Sequence, residues 1–133
     1  MKTNKHAFTL IELLVTLSLI VIMAALVAPS FFSTLRKGRD DTAIKKAALL
    51  EVAKANLRYE KGHEYATNTW DTNTNEQSKY ELLRSYLNTP PQNLGNGTTK
   101  TDYTPFGYRI FLTNAFTNPI TVIRLEGNKQ IYP

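Results

Sequence analysis

The sequence predicts an α+β fold: a long N-terminal α-helix, membrane-spanning in its first half and amphipathic in its second, packed on a small antiparallel β-sheet head. Three observations lead there. Residues 13–35 carry no charge. Apolar residues then recur at helical spacing as far as Lys61 and Gly62. The last third alternates polar and apolar residues between turns rich in Gly and Pro, which is the period of strands. With 133 residues in all, the protein has room for one small domain and an appendage. Four segments are expected: 1–7 a short basic leader, 8–32 an apolar helix, 33–62 a stem helix and 63–133 the head.

The apolar segment runs from Phe8 to Phe32. As a helix it reaches about 37 Å, enough to cross hydrocarbon about 30 Å thick. Being apolar all round, it lacks the polar stripe of a soluble surface helix. Glu12 is the misfit. A charged residue deep in such a helix costs about 2.5–3.5 kcal/mol on the insertion scale, and such residues are usually paired. No A-x-A site closes the run, and Pro29 follows Ala28, which argues against an ordinary signal peptide. A plain uncleaved anchor leaves Glu12 unexplained. Cleavage between Ala7 and Phe8 places a new α-amine one helical turn from Glu12, where the carboxylate needs a cation. Pro29 removes a helical hydrogen bond and crowds the preceding turn, so a kink or partial unwinding is expected near residues 25–30. Ser30, Ser33 and Thr34 are candidates to satisfy the freed carbonyls. Ala24, Ala25 and Ala28 are small enough to let another helix approach.

The net charge of +5 is localised. Lys2 and Lys5 precede the apolar run; residues 33–62 hold eight basic residues against four acidic; residues 63–133 are neutral, with six of each. This places the excess on the stem, beside the span, as for a helix face near lipid headgroups. The neutral head does not support nucleic-acid binding. Lysines before the span and Arg36, Lys37 and Arg39 after it leave the positive-inside rule ambiguous.

The stretch Ala7–Leu14, AFTLIELL, resembles the N-terminal signature of type IV pilins and the related pseudopilins of type II secretion. Lys2 and Lys5 match the basic leader, Ala7 and Phe8 the cut, Thr9 the next residue, and Glu12 the acid five residues into the mature protein. Pro29 matches the family's helix-interrupting proline. Residues 42–65 further resemble the second half of the stem in minor pilins. Two departures stand out: Ala7 replaces the usual Gly before the cut, and there is no cysteine for the C-terminal disulfide many pilins carry. The head is then held by packing, or by a metal.

The resemblance implies a structural subunit of a type IV pilus, most like a minor pilin, cut by prepilin peptidase and N-methylated on Phe8. The N-terminus lies in the cytoplasm and the head outside it. The partners implied are other pilin subunits, the peptidase, the pilus or secretion assembly machinery, and inner-membrane lipid before assembly into a cell-surface or periplasmic filament. The alternatives are a type II secretion pseudopilin, a DNA-uptake pilin, and a membrane-tethered binding module that never polymerises. Glu12 is the expected assembly residue, pairing with the Phe8 amine of a neighbour; pairing within its own helix N-terminus is the simpler reading.

In the stem, Ile44, Ala48, Val52, Ala55 and Tyr59 form one helical face expected to pack on the sheet, widened by Ala43, Ala47 and Leu50. Lys61 and Gly62 read as a helix stop. Residues 66–77 read as a polar loop with Trp70 as its anchor. Asp71, Asn73 and Asn75 alternate as at the start of a calcium loop, but Glu76 stands where Gly is needed and Leu82 where the final Glu belongs. No metal ligands and no cofactor are assigned. Residues 79–88 read as an amphipathic helix with Leu82, Leu83, Tyr86 and Leu87 inward, ended by Pro90 and Pro91. Gly95–Asn96–Gly97 is a turn, and Asn96–Gly97–Thr98 matches the N-glycosylation pattern. Strands are expected at 106–113, with Tyr108, Ile110 and Leu112 on one face, at 120–126 and at 129–132, the last pair joined by a two-residue turn at Gly127–Asn128. No nucleophile elbow, phosphate loop or HExxH pattern appears, and the two histidines, His6 and His63, make no metal site. The protein is therefore expected not to be an enzyme.

Overall fold

The computed structural model describes residues 9–133. Lys2, Lys5, Ala7 and Phe8 lie outside the described residues. The elements run α1 (Leu10–Lys61), α2 (His63–Thr72), α3 (Glu76–Arg84), β1 (Tyr108–Phe111), β2 (Thr121–Arg124), a short 3-10 turn (Glu126–Asn128) and β3 (Lys129–Tyr132). This is the expected α+β content. The protein divides into two compact units, one ending at Gly38 and the other Arg39–Pro133.

The first unit is the apolar part of α1. Its large side chains, from Leu10 to Phe32, are all exposed. Its hydroxyls are satisfied within the helix: Thr16 Oγ1 donates to Leu13 O at 2.9 Å and Ser18 Oγ to Leu14 O at 2.8 Å. Ser33 Oγ and Thr34 Oγ1 both donate to Ser30 O, at 2.8 and 3.0 Å. Such back-bonding lets Ser and Thr sit in an apolar environment without an orphaned donor. Pro29 lies inside α1, and every residue on either side of it is helical. The expected partial unwinding is therefore not seen, and the hydroxyls serve the Ser30 carbonyl.

In the second unit, Ala43, Ala47, Leu50, Ala53 and Leu57 of α1 enter the core, at steps of four, three, three and four. Ala43, Ala47 and Leu50, expected to widen the stripe, are buried as expected, but the line from Ile44 to Tyr59 is corrected. Val52 is 56% exposed and Tyr59 94%, Ala55 is exposed, and Ile44 and Ala48 are only half-buried. The reason is steric. The rest of the unit supplies large side chains, among them Trp70, Tyr80, Leu83, Ile110 and Val122, and an alanine face leaves room for them at native packing density.

Gly62, at φ +88°, ends α1 as expected, because a side chain is strained there. The backbone then re-enters a helix, where a loop was expected. Ala66 and Trp70, four residues apart, bury one face of α2, and that burial outweighs the weak helix preference of its Thr and Asn residues. Asn75 caps α3, its Oδ1 accepting from Gln77 N at 2.9 Å. So α3 begins earlier than residue 79 and ends at Arg84. Leu83 is buried, while Leu82, Tyr86 and Leu87 are partly buried against the core.

The sheet has the order β1-β2-β3, all antiparallel. Tyr108 pairs with Arg124 and Ile110 with Val122. Tyr108, Ile110 and Leu112 are buried on one face as expected. Between β2 and β3, Arg124 pairs with Lys129, so residues 125–128 form a four-residue connection and not a two-residue turn. Gly127 and Asn128 both take positive φ there.

Candidate functional site

The described part of the N-terminal signature begins with two residues that bind each other. Thr9 donates to Glu12 Oε2 twice, from its backbone N–H and from Oγ1, each at 3.0 Å. Glu12 N–H returns a bond to Thr9 Oγ1 at 3.3 Å. Leu13 N–H continues the ladder to Thr9 O at 3.2 Å. This is the reciprocal capping box, in which a Thr and a Glu three residues later satisfy each other's backbone N–H. The pattern T-x-x-E was present at residues 9–12 and could have been read directly. Thr9 is thus a residue that sequence reasoning gave too small a role. Glu12 starts the apolar helix, where a carboxylate also interacts favourably with the helix dipole.

The second constellation lies in the head and was not expected. Lys79 is 1% exposed and Lys54 4%. Lys79 Nζ donates to Thr113 O at 2.9 Å and Asn114 O at 3.4 Å. Lys54 Nζ donates to Asn118 O at 2.8 Å and pairs with Glu51 at 3.4 Å. The two ammonium groups lie 5.4 and 5.3 Å from the Trp70 ring, within cation–π range. Two carboxylates take N–H groups of the same segment: Asp71 Oδ1 accepts from Phe116 N at 2.9 Å, and Glu51 Oε1 accepts from Ile120 N. The connection between β1 and β2 is therefore fastened by charged side chains from all three helices. Burial pushes Lys79 below the ordinary lysine range, with Asp71 and Glu76 pulling the other way.

Asp71, Asn73 and Asn75 have structural work. Asp71 holds Phe116, Asn73 Nδ2 donates to Thr69 O at 2.7 Å, and Asn75 caps α3. Among the described residues no group of three or more His, Cys, Asp or Glu side chains is placed to hold a metal ion. His63 and Glu64 open α2 beside Tyr65 in an open cleft.

A third cluster ties α1 to the sheet. Asp40 accepts from Tyr108 OH at 2.8 Å and from Arg124 Nε at 3.1 Å, and its second oxygen accepts from Arg124 Nη2. Burial first, and then the Asp40 carboxylate, raise the Tyr108 phenol above its ordinary range.

Neither a curated protein nor a solved structure matches the sequence. The family model described as the prokaryotic N-terminal methylation motif matches residues 2–28. That range spans the basic leader, the Ala7–Phe8 junction, Thr9, Glu12 and most of the apolar run. The protein therefore carries the prepilin-type N-terminal signature that type IV pilins and pseudopilins share.

Proposed function

We propose that this protein is a structural subunit of a type IV pilus, of the minor pilin kind. In this reading residues 1–7 are removed by prepilin peptidase between Ala7 and Phe8, and Phe8 is N-methylated. The subunit waits in the inner membrane on residues 8–32, with its head outside the cytoplasm. It then leaves sideways into a helical filament with other pilins.

One observation carries the reading: α1, whose large apolar side chains from Leu10 to Phe32 are all exposed, begins at a Thr9–Glu12 capping box inside the methylation motif. Those side chains need lipid or neighbouring helices. Both Thr9 donors go to Oε2. Oε1 takes the cationic Phe8 amine of the next copy, and that pairing sets the axial offset between subunits, as a single buried polar group sets coiled-coil register. Pro29 is then the point where α1 yields when subunits repack, since its missing N–H leaves the helix one bond short.

The test compares Glu12→Gln with wild type for membrane insertion and for sheared surface filaments. Gln also completes a capping box, so helix initiation is kept and only the charge is lost. Insertion with loss of filaments supports the assembly role; filaments as abundant as wild type contradict it.

A further inference from the structure

The turn at Asn96 carries chemistry that the proposed function does not use. Asn96 is exposed and is followed by Gly97, the sole Asn–Gly pair in the sequence. Asn96 Oδ1 accepts from Thr98 N–H at 3.2 Å and from Thr98 Oγ1 at 2.5 Å. The side chain is thereby folded over the following peptide, as in an Asx turn. Two donors on Oδ1 polarise the amide carbon and stabilise negative charge developing on that oxygen, the arrangement of an oxyanion site. Gly97 is buried, but it has no Cβ to stand between its nitrogen and the Asn96 side chain.

We propose that Asn96–Gly97 is a self-modification site, at which the folded protein converts the Asn96 amide to a carboxylate through a cyclic imide. The Gly97 backbone nitrogen attacks Asn96 Cγ, with hydroxide or water removing its proton. The Cγ–Nδ2 bond breaks and Nδ2 leaves as ammonia. Water then opens the imide. Cleavage of the new bond from Cγ to the Gly97 nitrogen gives aspartate. Cleavage of the original Asn96–Gly97 peptide bond gives isoaspartate, in which the backbone runs through Cγ. The net change is one water consumed and one ammonia released, with no oxidant or reductant.

The surroundings make the product consequential. A Cβ on Gly97 would come 1.7 Å from Tyr108 O, and Gly97 O accepts from Gly107 N at 2.8 Å. Gly97 thus packs closely against the start of β1, while Asn96 and Thr98 on either side of it are exposed. The isoaspartyl backbone is one atom longer and cannot keep both contacts, and either product adds a negative charge to this exposed turn.

The experiment incubates the full-length protein in detergent at mildly alkaline pH and follows each asparagine by peptide mass spectrometry. The expected result is a gain of about 1 Da at Asn96, resolved into aspartyl and isoaspartyl peptides, ahead of every other asparagine and faster at higher pH. Thr98→Val removes one donor to Oδ1 and should slow the reaction about tenfold, the effect of roughly 1.4 kcal/mol on a barrier. Asn96→Gln, whose imide ring is larger, should stay unmodified. Conversion at Asn96 no faster than at other exposed asparagines overturns the proposal. So does conversion that appears only once the protein is unfolded, or a Thr98→Val rate equal to wild type.

Discussion

Lys79 and Trp70 donate to the same oxygen: Nζ of Lys79 at 2.9 Å and Nε1 of Trp70 at 3.0 Å both reach Thr113 O. The lysine also lies 5.4 Å from the centre of the indole ring. A cysteine-free head thus secures its longest inter-strand connection with a buried cation where a covalent link would otherwise serve. A bond from a charged donor contributes more than a neutral one, about 1.5–3 kcal/mol.

Lys79→Met keeps the apolar stem and removes the charge. We expect it to lower unfolding stability by about 1.5–3 kcal/mol and to leave α1 formed. Trp70 is the only tryptophan, so its fluorescence in a denaturant titration reports this site directly. An unchanged midpoint would show that the ammonium contributes nothing net.

The two faces of the stem give a second contrast. Ala47 is fully buried and Val52 is 56% exposed. Ala47→Leu should cost about 1–3 kcal/mol by overpacking, whereas Val52→Ala should change stability by no more than about 0.5 kcal/mol. Comparing their thermal midpoints decides which face holds the core. The reverse order would restore the stripe that spacing alone predicts.

Alkaline pH should unfold the head in a defined window. Tyr80 and Tyr103 pack ring to ring at 5.3 Å and donate to Pro91 O and Lys46 O. Burial pushes each phenol from 10.0 up to about 12. The folded state therefore holds these protons more tightly than the unfolded state. Their contribution is complete below pH 10.0 and is lost as pH rises through about 12. Lys46 and Lys79, both lowered by burial, act with the opposite sign, since the unfolded state binds their protons more tightly in the interval below the ordinary lysine value. The tyrosines dominate above pH 10.0 because their shifts are the large ones. Tyr80→Phe and Tyr103→Phe should each flatten the loss of stability in a pH series; a slope identical to wild type would rule the phenols out.

Asp40 holds Tyr108 and Arg124 at once. Asp40→Asn should cost about 1–2 kcal/mol, less than a buried pair because the side chains retain some contact with water. The thermal midpoint at moderate and high salt checks it, and a cost that vanishes completely at high salt would make the contact a screened surface pair.

Much of this was legible in the sequence because it rests on local rules. The charge-free run, the stop at Lys61 and Gly62, and the alternation of Tyr108, Ile110 and Leu112 follow from period and backbone freedom. The inward face of the stem was legible only in Ala43, Ala47 and Leu50; residues 43–59 are rich in apolar side chains on more than one side, and only the bulk of the head selects the rest of the face. Helix α2 was hidden by its Thr and Asn content; Trp70, which anchors it, acts through tertiary burial. Lys54 and Lys79 read as surface charges until the fold brings carbonyls to them. Of the signature, Glu12 was singled out from its charge, while the role of Thr9 needed the T-x-x-E pattern to be read as a cap.

The central claim is that Glu12 works with an α-amine created at Phe8. Intact-mass and N-terminal peptide spectrometry of the protein recovered from sheared filaments tests it most directly. The account predicts a polypeptide that begins at Phe8 and carries one N-methyl group. A polypeptide that still begins at Met1, or one trimmed after the apolar run, would contradict it.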